Sequence, residues 1–203
     1  KKEINSFLGS LIGYIVISVF LLINGLFLWI FPLEFNVLEF GYASIDGLFM
    51  LAPFVFLFLI PAISMRSFSE EKRTGTIELL MTKPLTEMQI ILGKYFATIV
   101  LVVFSLIPTL FYFFTVYQLG FPKGNLDIGG TWGSYIGLLF LGSAFASIGL
   151  FVSSLTNSQI TSFIVSVFLS GFFYIGFDFI YEFQFFGNFD LFIKSLGINE
   201  HYV

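Results

Sequence analysis

"SFSEEKRTGTIELLMTKPLTEMQ", residues 67 to 89, is the one long polar passage in a chain of 203 residues that is 57% hydrophobic and only 11% charged. Its meaning depends on what flanks it. With 31 Phe and 21% aromatic residues, the composition lies far outside that of soluble domains. The flanks hold apolar windows long enough to cross about 30 Å of hydrocarbon at 1.5 Å per residue. Spans are expected at 11 to 31, 48 to 64, 95 to 117, 132 to 153 and 160 to 181. These are unbroken apolar runs without the alternation of barrel strands, so the fold class is all-α, a polytopic transmembrane helical bundle. The first window is long and lacks a small-residue cleavage site, and is read as a span instead of a removable signal peptide. Pro53, Pro61 and Pro108 fall inside spans and predict kinks in the second and third.

Lys and Arg alone set sidedness, since acidic residues contribute little. Lys1 and Lys2 precede the first span, and Arg66, Lys72, Arg73, Lys83 and Lys94 lie between the second and third, leaving only Lys123 and Lys194 elsewhere. The N-terminus and the opening stretch are therefore expected in the cytoplasm. Five spans put the tail, 182 to 203, on the outer side, as a re-entrant or interfacial segment built on its aromatics. Its lone histidine, His201, is read as a solvated side chain.

The stretch mixes the five bases from Arg66 to Lys94 with Glu70, Glu71, Glu78 and Glu87, so it is no polybasic lipid patch. Its local signals describe helices. Ser67 with Glu70, and Thr86 with Gln89, both have the spacing of a capping box. Between them Ile77, Leu80 and Met81 would form an apolar stripe on a short helix starting at Thr76. Glu71, Thr74 and Glu78 would share its polar face if the helix ran through Gly75. Pro84 disfavours helical geometry at Lys83 and ends it. The product is an amphipathic hairpin over 65 to 94, lying against the ends of the spans. In the fourth span, Gly133 and Gly137 form a GxxxG, and Gly142 with Ala146 keeps the same spacing, the pattern that brings helix backbones together in lipid.

The run "SEEKRTGTIELLMTKPLTEMQIILGKYFA" resembles the loop after the second span of ABC-2-type transporter permeases. Glu70, Glu71, Gly75, Thr76, Glu78, Leu79, Pro84 and Thr86 occupy that family's pattern, with Lys72, Arg73 and Thr74 inside it. Residues 7 to 29 are similar to the family's interfacial helix and first span, although Leu11 stands where a proline is common. In detail the likeness is to the gliding-motility-associated permeases of Bacteroidetes-type bacteria.

The resemblance implies a single permease domain of the bacterial inner membrane, with an interfacial helix at 1 to 10. It implies a six-span subunit, of which five spans are visible, the sixth being expected outside these residues. Such a subunit pairs with a second permease copy or a homologous permease and sits on two cytoplasmic ABC ATPase subunits that bind ATP and Mg. An extracytoplasmic accessory protein and membrane lipid complete the expected partners, and nucleic acid is not among them. The hairpin at 65 to 94 would be the coupling element held in a cleft of the ATPase, with Glu70, Glu71 and Glu78 paired to its bases. No cofactor or metal is expected on this chain.

The residues themselves argue against catalysis. Gly93-Lys94 lacks the earlier glycine of a phosphate-binding loop and is followed by Tyr95. One tail histidine cannot build a metalloprotease site, and no span holds a base beside a serine. Two other classes stay open: a channel, for which Asp178 near the outer end of the last span is the one intramembrane charge, and a structural anchor of an envelope or gliding complex. Asn24 is read as an interhelical hydrogen-bond donor.

Overall fold

In a computed structural model, the described residues are 11–33, 36–39, 43–82, 86–182, 194–195 and 197–199, with 11–12 and 79–81 described in backbone only. The expected helix at 1 to 10, Pro84, His201 and most of the segment 182 to 203 lie outside them.

The described residues form helices and no strands. The apolar helix α1 (Leu11–Trp29) is followed by α2 (Asp46–Ser64), which continues through Met65 into α3 (Arg66–Thr74). Then come a short α4 (Thr76–Met81) and α5 (Glu87–Leu106), which passes through a 3-10 turn at Ile107–Thr109 into α6 (Leu110–Leu119). The last segments are α7 (Ile128–Leu155), α8 (Gln159–Gly171), a π turn at Phe172–Gly176 and α9 (Phe177–Glu182). Four helical stretches, Asp46–Thr74, Glu87–Leu119, Ile128–Leu155 and Gln159–Glu182, are long and apolar enough to cross a membrane, and α1 adds a shorter apolar helix.

Helix α2 is the centre of the bundle, because it buries residues on nearly all sides: Leu48, Phe49, Ala52, Val55, Phe56 and Ile60 among others. A helix that is apolar all round is stable only where protein or lipid surrounds it. Phe56 stacks on Phe20 of α1 with ring centroids 4.9 Å apart, and Phe49 meets Tyr135 of α7 edge-on at 5.1 Å. Tyr174 of the π turn is wedged between Phe54 of α2 and Phe145 of α7. Each such pair adds about 0.5–1.5 kcal/mol beyond area burial. The many exposed Phe side chains, such as Phe111, Phe140 and Phe168, point away from this core, where lipid is their natural solvent.

The prolines behave differently from one another. Helix α2 runs on through Pro53 and Pro61, and the hydroxyl of Ser64 donates to the carbonyls of Ile60 and Pro61. Pro108 opens the 3-10 turn, where the Thr109 hydroxyl donates to Leu106 O at 2.7 Å and meets the Tyr135 hydroxyl at 3.1 Å. Local hydroxyls thus bond carbonyls next to Pro61 and Pro108. Asn24 is fully buried, but its amide donates to Phe20 O of its own helix at 2.8 Å, so the expected interhelical donor is an intrahelical one.

Small residues on α7 do not all pack alike. Gly133 is exposed, with open space where a Cβ would stand, and Gly137 is half-buried. At Gly142 a Cβ would lie 2.9 Å from Val102 of α5 and 3.5 Å from Ile60 of α2, and Ala146 is fully buried. The closest approach comes one turn further on. A Cβ on Gly149 would lie 1.9 Å from Ser64 Oγ and 2.8 Å from Ser64 Cβ. The packing seam is therefore Gly142, Ala146, Gly149 and Ser153, spaced four, three and four.

Overpacking a helix contact costs about 1–3 kcal/mol. Gly149→Val should therefore lower the thermal midpoint of the purified chain in detergent, while Gly133→Val leaves the midpoint of the monomer unchanged.

Candidate functional site

The polar stretch begins inside a helix, not at a helix start. Met65 has αR geometry (φ −55°, ψ −29°), so α2 continues into α3, and the expected capping box of Ser67 with Glu70 is not formed. Ser67 is instead buried within the continuous helix. The turn is capped from another element. Ser153 Oγ of α7 accepts from the backbone N–H of Phe68 at 3.0 Å and of Ser69 at 3.1 Å, and donates to Met65 O at 3.0 Å. One hydroxyl does for α3 what a side chain of its own N-cap does elsewhere. It reaches the junction because Gly149, one turn earlier, lets α7 lie against Ser64.

Two charged side chains of α3 then turn inward. Glu71 Oε1 accepts from Lys94 Nζ at 2.6 Å, with Lys94 3% exposed and Glu71 24%. The same ammonium stands 5.1 Å from the ring centroid of Phe68, a cation–π contact on its apolar side. Lys94 lies two turns into an apolar helix, where an unpaired charge would be expensive, so a carboxylate must meet it. Lys72 donates to the carbonyl of Ser154 in the last turn of α7, where helix carbonyls lack intrahelical partners and a cation is favoured. Glu71 is thus a strut inside the chain, contrary to the expectation that it faces bases on a partner. Its local polarity suggested exposure, but Lys94 claims it.

Gly75 ends α3 in the left-handed region at φ +71°, which any other residue except Asn adopts at a penalty. Its N–H bonds to Lys72 O at 3.2 Å, and Thr74 and Thr76 join hydroxyls across it at 2.9 Å. The helix does not run through Gly75, so the expected polar face of Glu71, Thr74 and Glu78 is split. Arg73, Thr74, Gly75, Thr76 and Glu78 are exposed together at the tip, with Glu70 half-buried behind them. Ile77 points into a groove of about 540 Å³ between the hairpin, α5 and α7, with Phe68, Ile90, Tyr95 and Leu150 on its apolar walls. At the far end, Thr86 accepts from Gln89 N–H at 3.4 Å while Gln89 Oε1 accepts from Thr86 N–H at 3.1 Å, the capping box expected there. Leu79 belongs to α4 in backbone.

The hairpin is therefore a short lever: a tip with a few exposed polar groups, and a root fixed to α5 by one ion pair and to α7 by two sets of hydrogen bonds. Sequence reasoning singled out the tip, and named Glu71 and Lys72 of the root without their partners Lys94 and the carbonyl of Ser154. Ser153 carried no local signal, whereas Lys94 did, as a base within an apolar run.

The family model for ABC-2 family transporter proteins matches residues 14–187. No curated protein and no solved structure matches the chain.

Removing one partner of a buried pair costs about 3–5 kcal/mol. Glu71→Gln should therefore destabilise the chain by that order in reversible unfolding, and Glu71→Gln with Lys94→Met, which removes both charges, should recover most of the loss.

Proposed function

This chain belongs to the ABC-2 family of transporter proteins, and from that premise we propose that α3, Gly75 and α4 form the element through which a partner ATPase drives the membrane helices. Members of the family are non-catalytic, multi-pass membrane subunits that associate with ABC ATPases. The observation that carries the proposal is the root of the hairpin. Ser153, Lys72 and the Glu71–Lys94 pair join α3 to two different long helices. A push on the tip thus reaches both α5 and α7, and reaches α2 directly because α2 and α3 are one continuous helix.

In this reading two ATPase subunits bind ATP and Mg, and their closure moves the hairpins of two paired permease copies. The exposed Arg73, Thr74, Gly75, Thr76 and Glu78 meet the ATPase, joined by Glu70, Leu79 and Pro84. The excess of Lys and Arg beside this element supports a cytoplasmic hairpin and N-terminus in a bacterial inner membrane. The likeness of residues 69 to 97 to gliding-associated permeases supports service in export or in an envelope or gliding machine.

Charge complementarity at such a contact sets specificity. Arg73→Glu with Glu78→Lys, two exposed positions, should abolish co-purification of the ATPase from native membranes without lowering the thermal midpoint of the permease. A double variant that retains its ATPase and its coupled turnover would refute the role of the tip.

A further inference from the structure

The hairpin does not close against the bundle. Between it and the facing ends of α5 and α7 lies the groove of about 540 Å³ into which Ile77 points, and the residues around that groove change character with depth. At the mouth stand Lys72 in the last turn of α3, Glu87, the first residue of α5, and Ser154 in the last turn of α7. Deeper in, Phe68, Ile90, Leu150 and Phe151 form apolar walls. The innermost lining residues, Tyr95 on α5 and Ser147 on α7, lie about 12 Å and about 11 Å of helix rise from Glu87 and Ser154. That depth is most of the ~15 Å of hydrocarbon in one leaflet.

An apolar space of this kind is a poor site for water, which needs several polar partners. In a chain that spans a membrane the other solvent is lipid. Ile91, Leu92 and Phe151 line the groove and are exposed, so it opens sideways onto the surface of α5 and α7 that faces the bilayer. A methylene takes up about as much room as a water molecule, roughly 30 Å³, and the groove therefore suits roughly one acyl chain. Helix α4 does not fill it, because the space remains with Ile77 already in place.

The mouth carries one charge of each sign. Lys72 uses one of the three N–H groups of its ammonium on the carbonyl of Ser154. Among the described residues the one ion pair is Glu71 with Lys94, so neither Lys72 nor Glu87 has an opposite charge at bridging distance. We propose that this groove binds one zwitterionic phospholipid with a primary amine headgroup, of the phosphatidylethanolamine type. Its acyl chain lies along Ile90 and Leu150, its phosphate accepts from Lys72, and its ammonium donates to Glu87. A phosphatidylglycerol has no cation for Glu87, and the quaternary amine of a phosphatidylcholine has no N–H to give it. The lipid is a wedge beneath α4, and its site does not depend on what the tip of the hairpin contacts.

The test uses the full-length permease purified without an ATPase, so its outcome is separate from that of the coupling role. The protein is held in nanodiscs of equal parts phosphatidylethanolamine, phosphatidylglycerol and phosphatidylcholine, then moved into detergent, and native mass spectrometry counts the lipids each chain retains. One phosphatidylethanolamine should be kept in preference to phosphatidylglycerol by about fivefold or more, the effect of one charge at a membrane surface. Glu87→Lys, at an exposed position, should reverse that preference. Ser147→Trp, which sets an indole on the groove floor from another exposed position, should abolish retention while the helical circular dichroism stays that of the wild type. No retained lipid, as expected if α4 or the ATPase fills the groove, equal retention of the three headgroups, or a Ser147→Trp chain that keeps its lipid would each overturn the proposal.

Discussion

The missing side chain of Gly149 is the constraint on which the arrangement around the hairpin depends. With no Cβ, α7 can lie against Ser64 at a distance that any other residue forbids. That approach delivers Ser153 to the junction of α2 and α3, where it satisfies two backbone donors and one carbonyl. Once α3 is oriented, Lys72 falls on the open end of α7 and Glu71 on Lys94. In lipid no hydrophobic drive pulls helices together, so a close contact between small residues must supply the adhesion. Here the contact also sets direction, because it determines where a lever emerges from the bundle.

The charge economy follows from the same geometry. A chain with so few charged residues spends Glu71, Lys72 and Lys94 on internal contacts and leaves Arg73 and Glu78 outside. A buried ion pair adds little net stability compared with an apolar pair of the same shape, but it tolerates few alternative registers. For a segment that receives force, a fixed register matters more than added stability. The groove beneath Ile77 shows where this stiffness ends, since α4 stands off the bundle on the Gly75 turn while α3 is held on two sides.

The fold was legible because span length and unbroken apolar runs are properties of the chain read locally. So was the Thr86 capping box, fixed by residues within a few positions, whereas at Gly75 the break stays open, because a glycine is compatible with a helix interior as well as with its end. The failures share a cause. Ser67 and Glu70 have the spacing of a helix start, but Met65 is already helical and α2 runs on into α3, with Ser153, some 85 residues away, bonded across the junction. Glu71 reads as a surface acid until Lys94, 23 residues on, is brought beside it. The GxxxG of Gly133 and Gly137 matches a packing motif, yet the tightest contact uses Gly149, whose partner Ser64 is set by the docking of two spans. A spacing rule sees one helix at a time, and these contacts belong to pairs.

The central claim is that α3 and the end of α7 move as one body when a nucleotide-driven partner acts on them. Spin labels at Arg66→Cys and Leu155→Cys, both exposed positions outside the proposed ATPase contact, would report the distance between them by pulsed electron resonance in the assembled, hydrolysing complex. The account predicts one distance distribution, unchanged between the ATP-bound and ADP-bound states. A distribution that shifts with the nucleotide would show the hairpin sliding over the bundle, and would contradict it.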